Sequence, residues 1–323
     1  MSAVERLLEL HGLPVFDFPA AGEDAAKLPE AGEVAWRVGV DPYGDGGEES
    51  YEEVWGRFLA GVDPGGVRAL VVGPWGDVLD EDAGESSAEA VRLLVEARER
   101  LTGLRAVFVG DLEMEDAEIA WIAQSDMTPV LAAYPELREL GVRGGTDLVF
   151  GPLRHEHLRT LAVEAGGLPA GVVRGVAASE LPALEYLELW LGVPECGGNA
   201  TVADLAPLLA GERLPALRHL GLRNSALQDE IAAALAGAPV VARLSSLDLS
   251  LGVLGDEGVA ALLAGQPLTH LSWLDLHHNF VGDAAARRLR DALEPAGVEV
   301  DLDERGVEYE QDGVLHRCTA VGD

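Results

Sequence analysis

Basic residues are scarce in this sequence. Lysine and arginine together number 23 against 56 aspartates and glutamates, the net charge is −33, and Lys27 is the only lysine. A nucleic-acid-binding protein needs clustered cations to displace the counterions of phosphate, and the sequence contains no such cluster. The composition therefore excludes nucleic acid and anionic membrane as expected partners. It favours a basic protein or peptide, and it is equally consistent with acidity that serves solubility alone.

Cysteine and long apolar runs are also scarce. The two cysteines, Cys196 and Cys318, lie far apart, and two are too few for the disulfide framework of a small secreted domain. No cationic start is followed by an apolar run, and no stretch reaches the ~18 apolar residues that a membrane helix needs. We therefore expect a soluble protein in a reducing compartment, the cytoplasm.

Leucine, in contrast, recurs in a regular pattern. Four segments have leucine at their first, fourth and sixth positions: LEYLELW (184–190), LRHLGLR (217–223), LSSLDLS (244–250) and LSWLDLH (271–277). Their starts lie 33, 27 and 27 residues apart. Fainter copies begin at Val67, Leu104, Leu137 and Leu158, and WRVGV from Trp36 and VEVDL from Val298 extend the series. The sequence thus contains about ten repeats.

Each repeat has the pattern of a strand followed by a helix. Alternate residues of a strand face opposite sides, so the leucines at positions four and six face one side and positions three, five and seven face the other. Apolar segments of helical period follow at 86–101, 202–211, 229–237, 256–265 and 283–293. Because only stacked repeats bury these faces, we predict an α/β fold: a right-handed solenoid, or horseshoe, of about ten rungs, with an inner parallel sheet and outer helices.

The two ends lack the repeat. Residues 1–62 include ESYEEVWGRFL (49–59), whose apolar residues have helical spacing. We expect 1–62 to form an N-terminal cap over the open core, 63–302 to form the repeat array, and the polar residues 303–323 to form a loose tail.

The repeats resemble the ribonuclease-inhibitor-like branch of the leucine-rich-repeat superfamily. The resemblance is carried by LRHLGLRNSALQDEIAAALAG, LSSLDLSLGVLGDEGVAALLAG and LSWLDLHHNFVGDAAARRL. The chain also resembles a bacterial family of functionally uncharacterised leucine-rich-repeat proteins. These resemblances imply a fold and a protein-binding function, but they imply no catalytic activity. They also imply a structural Asn279 in the turn after the last leucine motif, whereas Gly192, Ser225 and Gly252 replace that asparagine in other turns.

The side chains between the leucines form the candidate binding surface. They line the concave face of the horseshoe, where neighbouring rungs stand ~4.8 Å apart, and we expect exposed columns of side chains there. Aromatic residues and arginine are enriched at interface hot spots. The candidate partner-binding residues are Tyr186, Glu188, Trp190, His219, Arg223, Asp248, Trp273, Asp275 and His277. An alternative interpretation is a solvated lattice in which Arg223 neutralises Glu188 and Asp248.

A metal-dependent or acid–base enzyme is the second hypothesis. Asp248 and Asp275 occupy one column on adjacent rungs, with His277 and His219 nearby, and a cation would relieve their repulsion. Their spacing matches no established ligand motif, and phosphate-binding loops and nucleophile motifs are absent. His155 and His157 are expected to be a turn pair, Cys196 an inert thiol and the acidic run 111–118 a solvated loop. The sequence therefore favours a non-enzymatic binding module with no metal and no cofactor.

Overall fold

One twelve-stranded sheet runs through the molecule. The computed structural model describes residues 4–22, 28–40, 49–76, 85–112, 118–311 and 314–322. The strands of the sheet are β1 (Glu9–Leu10), β2 (Leu13–Asp17), β3 (Ala35–Val38), β4 (Ala69–Val72), β5 (Ala106–Val109), β6 (Glu139–Arg143), β7 (Thr160–Glu164), β8 (Tyr186–Gly192), β9 (His219–Ser225), β10 (Ser246–Asp248), β11 (Trp273–Asp275) and β12 (Glu299–Asp301). They lie in sequence order; β1 is antiparallel to β2, and β2 to β12 pair in parallel.

Eight α-helices among the described residues connect these strands. They are α1 (Tyr51–Gly61), α2 (Ala88–Glu96), α3 (Thr128–Ala133), α4 (Ala170–Ala178), α5 (Val202–Ala210), α6 (Gln228–Leu235), α7 (Asp256–Ala264) and α8 (Asp283–Leu293). Helices α1 to α3 contact one another in succession, and so do α4 to α8. Helix α1 begins with a capping box, because the Glu53 carboxylate accepts from the Ser50 N–H at 2.8 Å and the Ser50 hydroxyl accepts from the Glu53 N–H at 3.3 Å.

The leucine pattern accounts for the core between sheet and helices. Leu187, Leu189, Leu220 and Leu222, at positions four and six of two repeats, are fully buried. The leucines at position one, such as Leu217, are also buried in the same continuous core. Each of the ten segments that carry the pattern coincides with one of the strands β3 to β12. The α/β architecture is therefore a repeat solenoid of strands and helices, as the sequence predicts.

The N-terminal region extends the sheet beyond the ten expected rungs. Strand β2 pairs in parallel with β3, although its sequence LPVFD lacks the leucine pattern. Phe16 of β2, Trp36 of β3 and Phe58 of α1 pack edge to face or tilted against one another, with ring centroids 5.5–5.8 Å apart for the pairs with Trp36. Aromatic rings here replace the leucines that fill the core elsewhere, which is why the leucine pattern does not reveal β2.

The C-terminal region differs from the expected loose tail. Strands β13 (Glu308–Gln311) and β14 (Val314–Arg317) form an antiparallel hairpin. The chain then returns across the turns that follow earlier strands: Ala320 N–H donates to Leu251 O at 2.8 Å, and Val321 is buried. We call residues 306–322 the C-terminal strap. Its polar sequence has no helical or repeat period because its backbone bonds to successive turns of the array.

Within the described residues, no helix has both the length and the apolar character needed to cross a membrane.

Candidate functional site

The sheet face opposite the helices carries three columns of side chains, and we call it the open face. Positions three of the repeats align in one column, so that Tyr186 lies beside His219 and Ser246 lies beside Trp273. Positions five align in a second column, and Asp248 lies beside Asp275. Positions seven align in a third. Strand alternation therefore brings the nine candidate residues of the sequence analysis to one surface.

These residues are less exposed than the sequence suggested. Glu188, His219, Asp248 and Asp275 are each more than nine-tenths buried, as is Trp190, and Tyr186, Arg223, Trp273 and His277 are half-buried. Large side chains on rungs ~4.8 Å apart cover one another, which removes the expected columns of freely exposed groups. The open face is thus a layer of side chains that contact each other.

Glu188 lies at the centre of a buried ion network. Its carboxylate accepts hydrogen bonds from the Tyr186 hydroxyl, from Trp190 Nε1 at 2.6 Å and from Arg223 Nη1 at 2.6 Å. Arg223 Nε lies 3.2 Å from Asp248 Oδ2, and the guanidinium lies 5.0 Å from the centroid of the Trp190 ring. Arg223 therefore bridges Glu188 and Asp248, as in the lattice interpretation, although the lattice is buried and not solvated.

The network shifts the pKa values of its two acids in opposite directions. Burial alone raises the pKa of Glu188, but Arg223 and the hydrogen bonds from Tyr186 and Trp190 outweigh burial and leave the pKa below its ordinary value. Burial raises the pKa of Asp248 to about 6, and the charge of Arg223 only partly offsets it. Neighbouring Asp275 also raises the pKa of Asp248. Asp248 consequently binds a proton far more readily than an exposed aspartate.

An aromatic ladder crosses the first column. The Tyr186 and His219 rings stack with centroids 4.0 Å apart and an angle of 5° between planes, and Trp273 continues the stack at 6.3 Å from His219. The Ser246 hydroxyl lies 2.8 Å from His219 Nδ1, whereas His219 Nε2 is buried and has no hydrogen-bond partner among the described residues. Burial lowers the pKa of His219 to about 4. The imidazole is therefore neutral at physiological pH.

Two groups of side chains in the described part of the chain have metal-ligand spacing. The ligating atoms of Glu188, His219 and Asp248 lie within 4.8 Å of one another, and so do those of Asp275, His277 and Asp301. In the second group, Asp275 Oδ1 accepts from the His277 N–H at 2.9 Å and lies 2.7 Å from His277 Nδ1. The hydrogen bond from His277 to Asp275 raises the pKa of His277. These groups offer oxygen and imidazole ligands. Arg223 already pairs with both acids of the first group, and His277 already bonds Asp275 in the second.

A second ion network lies nearer the N-terminus. Asp111 is fully buried, with Oδ2 2.7 Å from Arg37 Nη2 and Oδ1 3.4 Å from Arg143 Nη1. Arg143 Nε donates to Glu164 Oε2 at 2.7 Å. The expectation that 111–118 is a solvated loop is wrong for Asp111, since this carboxylate lies between two arginines; residues 113–117 lie outside the described part of the chain. Arg37 on β3 and Arg143 on β6 occupy positions whose side chains face the open face. Two such arginines could have indicated a buried acid between them.

The N-terminal segment, residues 4–10, covers the apolar side chains that strands β3 to β5 place on the open face. Asp111 Oδ1 accepts from the Leu7 N–H at 3.0 Å, and Arg37 Nη2 donates to Leu7 O at 2.5 Å. Leu10, with Leu7 beside it, packs against Phe108 in a hydrophobic cluster separate from the main core. Both backbone polar groups of Leu7, together with the neighbouring leucines, therefore hold this segment on strands β3 to β5.

A cavity of about 350 Å³ lies on the open face beside Leu7 and Leu10 of the N-terminal segment. Leu7, Leu10 and Phe108 form one side, and Tyr186 and Glu188 form the other. Its remaining lining residues are Glu9, Glu139, Leu140, Gly141, Thr160, Ala162 and Glu164. Sequence reasoning missed this cavity because it depends on a contact between the N-terminus and the middle of the sheet.

The remaining polar residues singled out in the sequence serve the turns. Asn279 Nδ2 donates to Leu249 O at 2.9 Å and to Leu276 O at 3.1 Å, while its Oδ1 accepts from the Leu254 N–H. His155 is buried, and its Nδ1 accepts from the Leu158 N–H at 3.0 Å. The ring of His157 lies 3.0 Å from Pro135 O. Each side chain thus bonds backbone groups of its own or a neighbouring repeat.

Comparison with known proteins supports the fold. No protein-family model matches the chain, and no curated protein does. A protein from Bacteroides fragilis, solved as a structural-genomics target, is similar with a TM-score of 0.73 and 28% identity, over 83% of this chain and 72% of that one. An internalin from Listeria monocytogenes has a TM-score of 0.27 and 15% identity, over 73% of this chain and 54% of that one, a likeness too weak to carry an argument.

Proposed function

We propose that this protein is a non-enzymatic scaffold that binds a basic protein or peptide on the open face of its sheet. The observation that carries the proposal is the excess of acid at the last three strands. Asp275, Glu299 and Asp301 lie on adjacent rungs there, and Arg223, the nearest arginine of the columns, already bonds Glu188 and Asp248. A cationic segment would supply the missing positive charge.

Trp273 gives this acidic surface an apolar anchor. Its ring is half-buried against His219, so its conformation is already restrained before a partner arrives. A restrained tryptophan flanked by charge is the kind of residue that dominates interface energies. The open face also belongs to a sheet of twelve strands, a length that suits an extended polypeptide.

The alternative, a metal-dependent or acid–base enzyme at Asp248, Asp275 and His277, has weaker support. Asp248 is only 2% exposed, and its carboxylate accepts from the Ser250 N–H at 2.9 Å and pairs with Arg223. A substrate would have to displace these internal partners before it reached the acid. We therefore retain a binding role without a metal or a cofactor.

Three further features belong to this proposal. We place the chain in the ribonuclease-inhibitor-like branch of the leucine-rich-repeat superfamily, with right-handed winding, because its units combine a strand with a helix. A content of only two cysteines supports a reducing, cytoplasmic location. The net charge of −33 argues against nucleic acid as a partner.

The test is selection from a displayed random-peptide library, followed by affinity measurements on the selected peptides. We expect enrichment of arginine and lysine. Trp273→Ala should weaken a selected peptide about tenfold or more, whereas Trp121→Ala, which removes a 51% exposed tryptophan away from the open face, should leave affinity unchanged. Selection of acidic or neutral peptides, or equal effects of the two substitutions, would contradict the proposal.

A further inference from the structure

The cavity between the N-terminal segment and Tyr186 has the dimensions and lining of a side-chain pocket. Its volume of about 350 Å³ lies at the lower end of the range for small-molecule sites, so it suits one long side chain better than a whole peptide. Small residues, Gly141 and Ala162, form part of its lining. Phe108 leans over Gly141: a Cβ placed on that glycine would lie 2.2 Å from Phe108 Cδ2. The absence of a side chain at Gly141 therefore makes room for the Phe108 ring, which lines the cavity.

The charged groups that line the cavity are all acidic. They are Glu9, Glu139, Glu164 and Glu188, and none of the described lining residues is a lysine, arginine or histidine. Glu188 is saturated by Tyr186, Trp190 and Arg223. Glu164, in contrast, has one hydrogen-bond donor among the described residues, Arg143. Glu164 therefore retains acceptor capacity for a cation that enters the cavity.

Burial penalises the charge on Glu164. Its side chain is 16% exposed, and burial raises its pKa despite the neighbouring Arg143. A second cation would stabilise the ionised carboxylate in this partly dehydrated position. An uncharged occupant would leave the penalty in place, so the electrostatics of Glu164 select for positive charge.

Tyr186 supplies a flat surface for that cation. His219 stacks on one face of its ring, on the β9 side, with the planes nearly parallel. The opposite face turns towards β7, where Thr160 lies beside Tyr186 and, like Tyr186, lines the cavity. A planar guanidinium can stack on a tyrosine face and donate to a carboxylate at the same time, which a lysine ammonium does less well.

We propose that this cavity receives an arginine side chain of the bound polypeptide, with the guanidinium on Tyr186 and Glu164 and the aliphatic stem against Leu7, Leu10 and Phe108. This assignment rests on the proposed function for its biological source, because it makes the arginine part of the basic partner. The bound arginine is a second specific contact, three strands away from Trp273, because Tyr186 lies on β8 and Trp273 on β11. A partner would therefore contact the open face at two places.

The probe is Nα-acetyl-arginine methylamide, compared with the citrulline and lysine analogues by ¹H–¹⁵N NMR titration. We expect the arginine compound to shift the Gly141 and Ala162 signals and to bind about tenfold more tightly than its uncharged citrulline counterpart. Equal binding of arginine and citrulline compounds, or no shift at either residue, would overturn the pocket. Equal binding of the lysine compound would overturn the choice of a guanidinium.

Two variants and one control complete the experiment. Glu164→Gln should weaken the arginine compound about tenfold, and Ala162→Leu should fill the cavity and abolish its binding. Glu212→Gln removes an exposed carboxylate from the loop after α5, outside the open face, and should have no effect. Circular dichroism melts show whether each variant is folded. A folded Ala162→Leu variant that still binds the compound would overturn the assignment.

The outcome separates this inference from the proposed function. If basic peptides bind the wild type and Ala162→Leu equally well, the result contradicts the arginine pocket but agrees with the proposed scaffold. If the arginine compound occupies the cavity but the protein selects no basic peptide, the result contradicts the proposed scaffold and supports the pocket.

Discussion

At the residue scale, the sequence indicates which side chains share a face but not how they pair. Strand alternation places Glu188, Arg223 and Asp248 on the open face, and that placement is correct. The burial of these groups depends on contacts between residues 25–35 positions apart in sequence, and no local pattern reports such contacts. Asp111 is the extreme case, since it belongs to an acidic run and yet is fully enclosed by Arg37 and Arg143.

His219 provides a prediction about pH. Because burial lowers its pKa from 6.5 to about 4, the unfolded chain binds more protons between these values, and the stability of the folded state falls as the pH falls through this window. His219→Phe keeps an aromatic ring in the ladder and removes the titration. The stability advantage of wild type over the variant should therefore shrink by up to about 3 kcal/mol between pH 6.5 and pH 4.

The measurement is urea unfolding of both proteins across this pH range. Asp248, whose pKa is raised to about 6, contributes the opposite slope, so only the difference between the two proteins isolates His219. A difference that stays constant with pH would show that His219 titrates normally.

At the element scale, the strands with the leucine pattern could be identified from sequence, whereas strand β2 and the C-terminal hairpin could not. Strand β2 fills its core position with Phe16, so it lacks the signal that marks β3 to β12. The C-terminal strap has no apolar period because it is held by bonds to turns, including Gly306 N–H to Asn279 O at 3.0 Å. Irregular segments that bond to a repeat array carry little periodic information of their own.

Asn224 tests whether the strap stabilises the array. Its Oδ1 accepts from the Val321 N–H at 3.1 Å, and its Nδ2 donates to Val321 O at 2.5 Å and to Ala165 O at 3.2 Å. The backbone at Asn224 is left-handed, with φ of 51°. Asn224→Gly therefore tolerates that conformation but loses the three bonds, and we expect the free energy of unfolding to fall by about 2 kcal/mol.

A chain ending at residue 318 gives the matching control. It removes Val321 and hence two of the three Asn224 bonds, so Asn224→Gly should cost much less in the shortened chain than in the full one. Chemical denaturation of the four proteins yields the coupling energy. Additive effects would show that the strap and Asn224 stabilise the array independently.

At the scale of the whole molecule, acidity and repeat architecture combine. A repeat array spreads its charge along a long surface, and a net charge of −33 makes the folded state repel itself. The open face concentrates part of that charge, because Asp248, Asp275 and Asp301 follow one another in a single column. The sequence supplied the total charge, whereas its concentration at one end of the sheet required the register of the strands.

Salt should therefore act in opposite directions on folding and on binding. The Debye length falls from about 30 Å at 0.01 M to about 10 Å at 0.1 M ionic strength, so added sodium chloride screens the repulsion within the acidic chain and should raise its thermal unfolding midpoint. The same screening should weaken a selected basic peptide, mainly through its association rate. Stopped-flow binding and calorimetric melts over this range measure both effects. If salt leaves the association rate unchanged while it raises the melting temperature, the acidity serves the solubility of the chain, and attraction of a basic partner through the open face is ruled out.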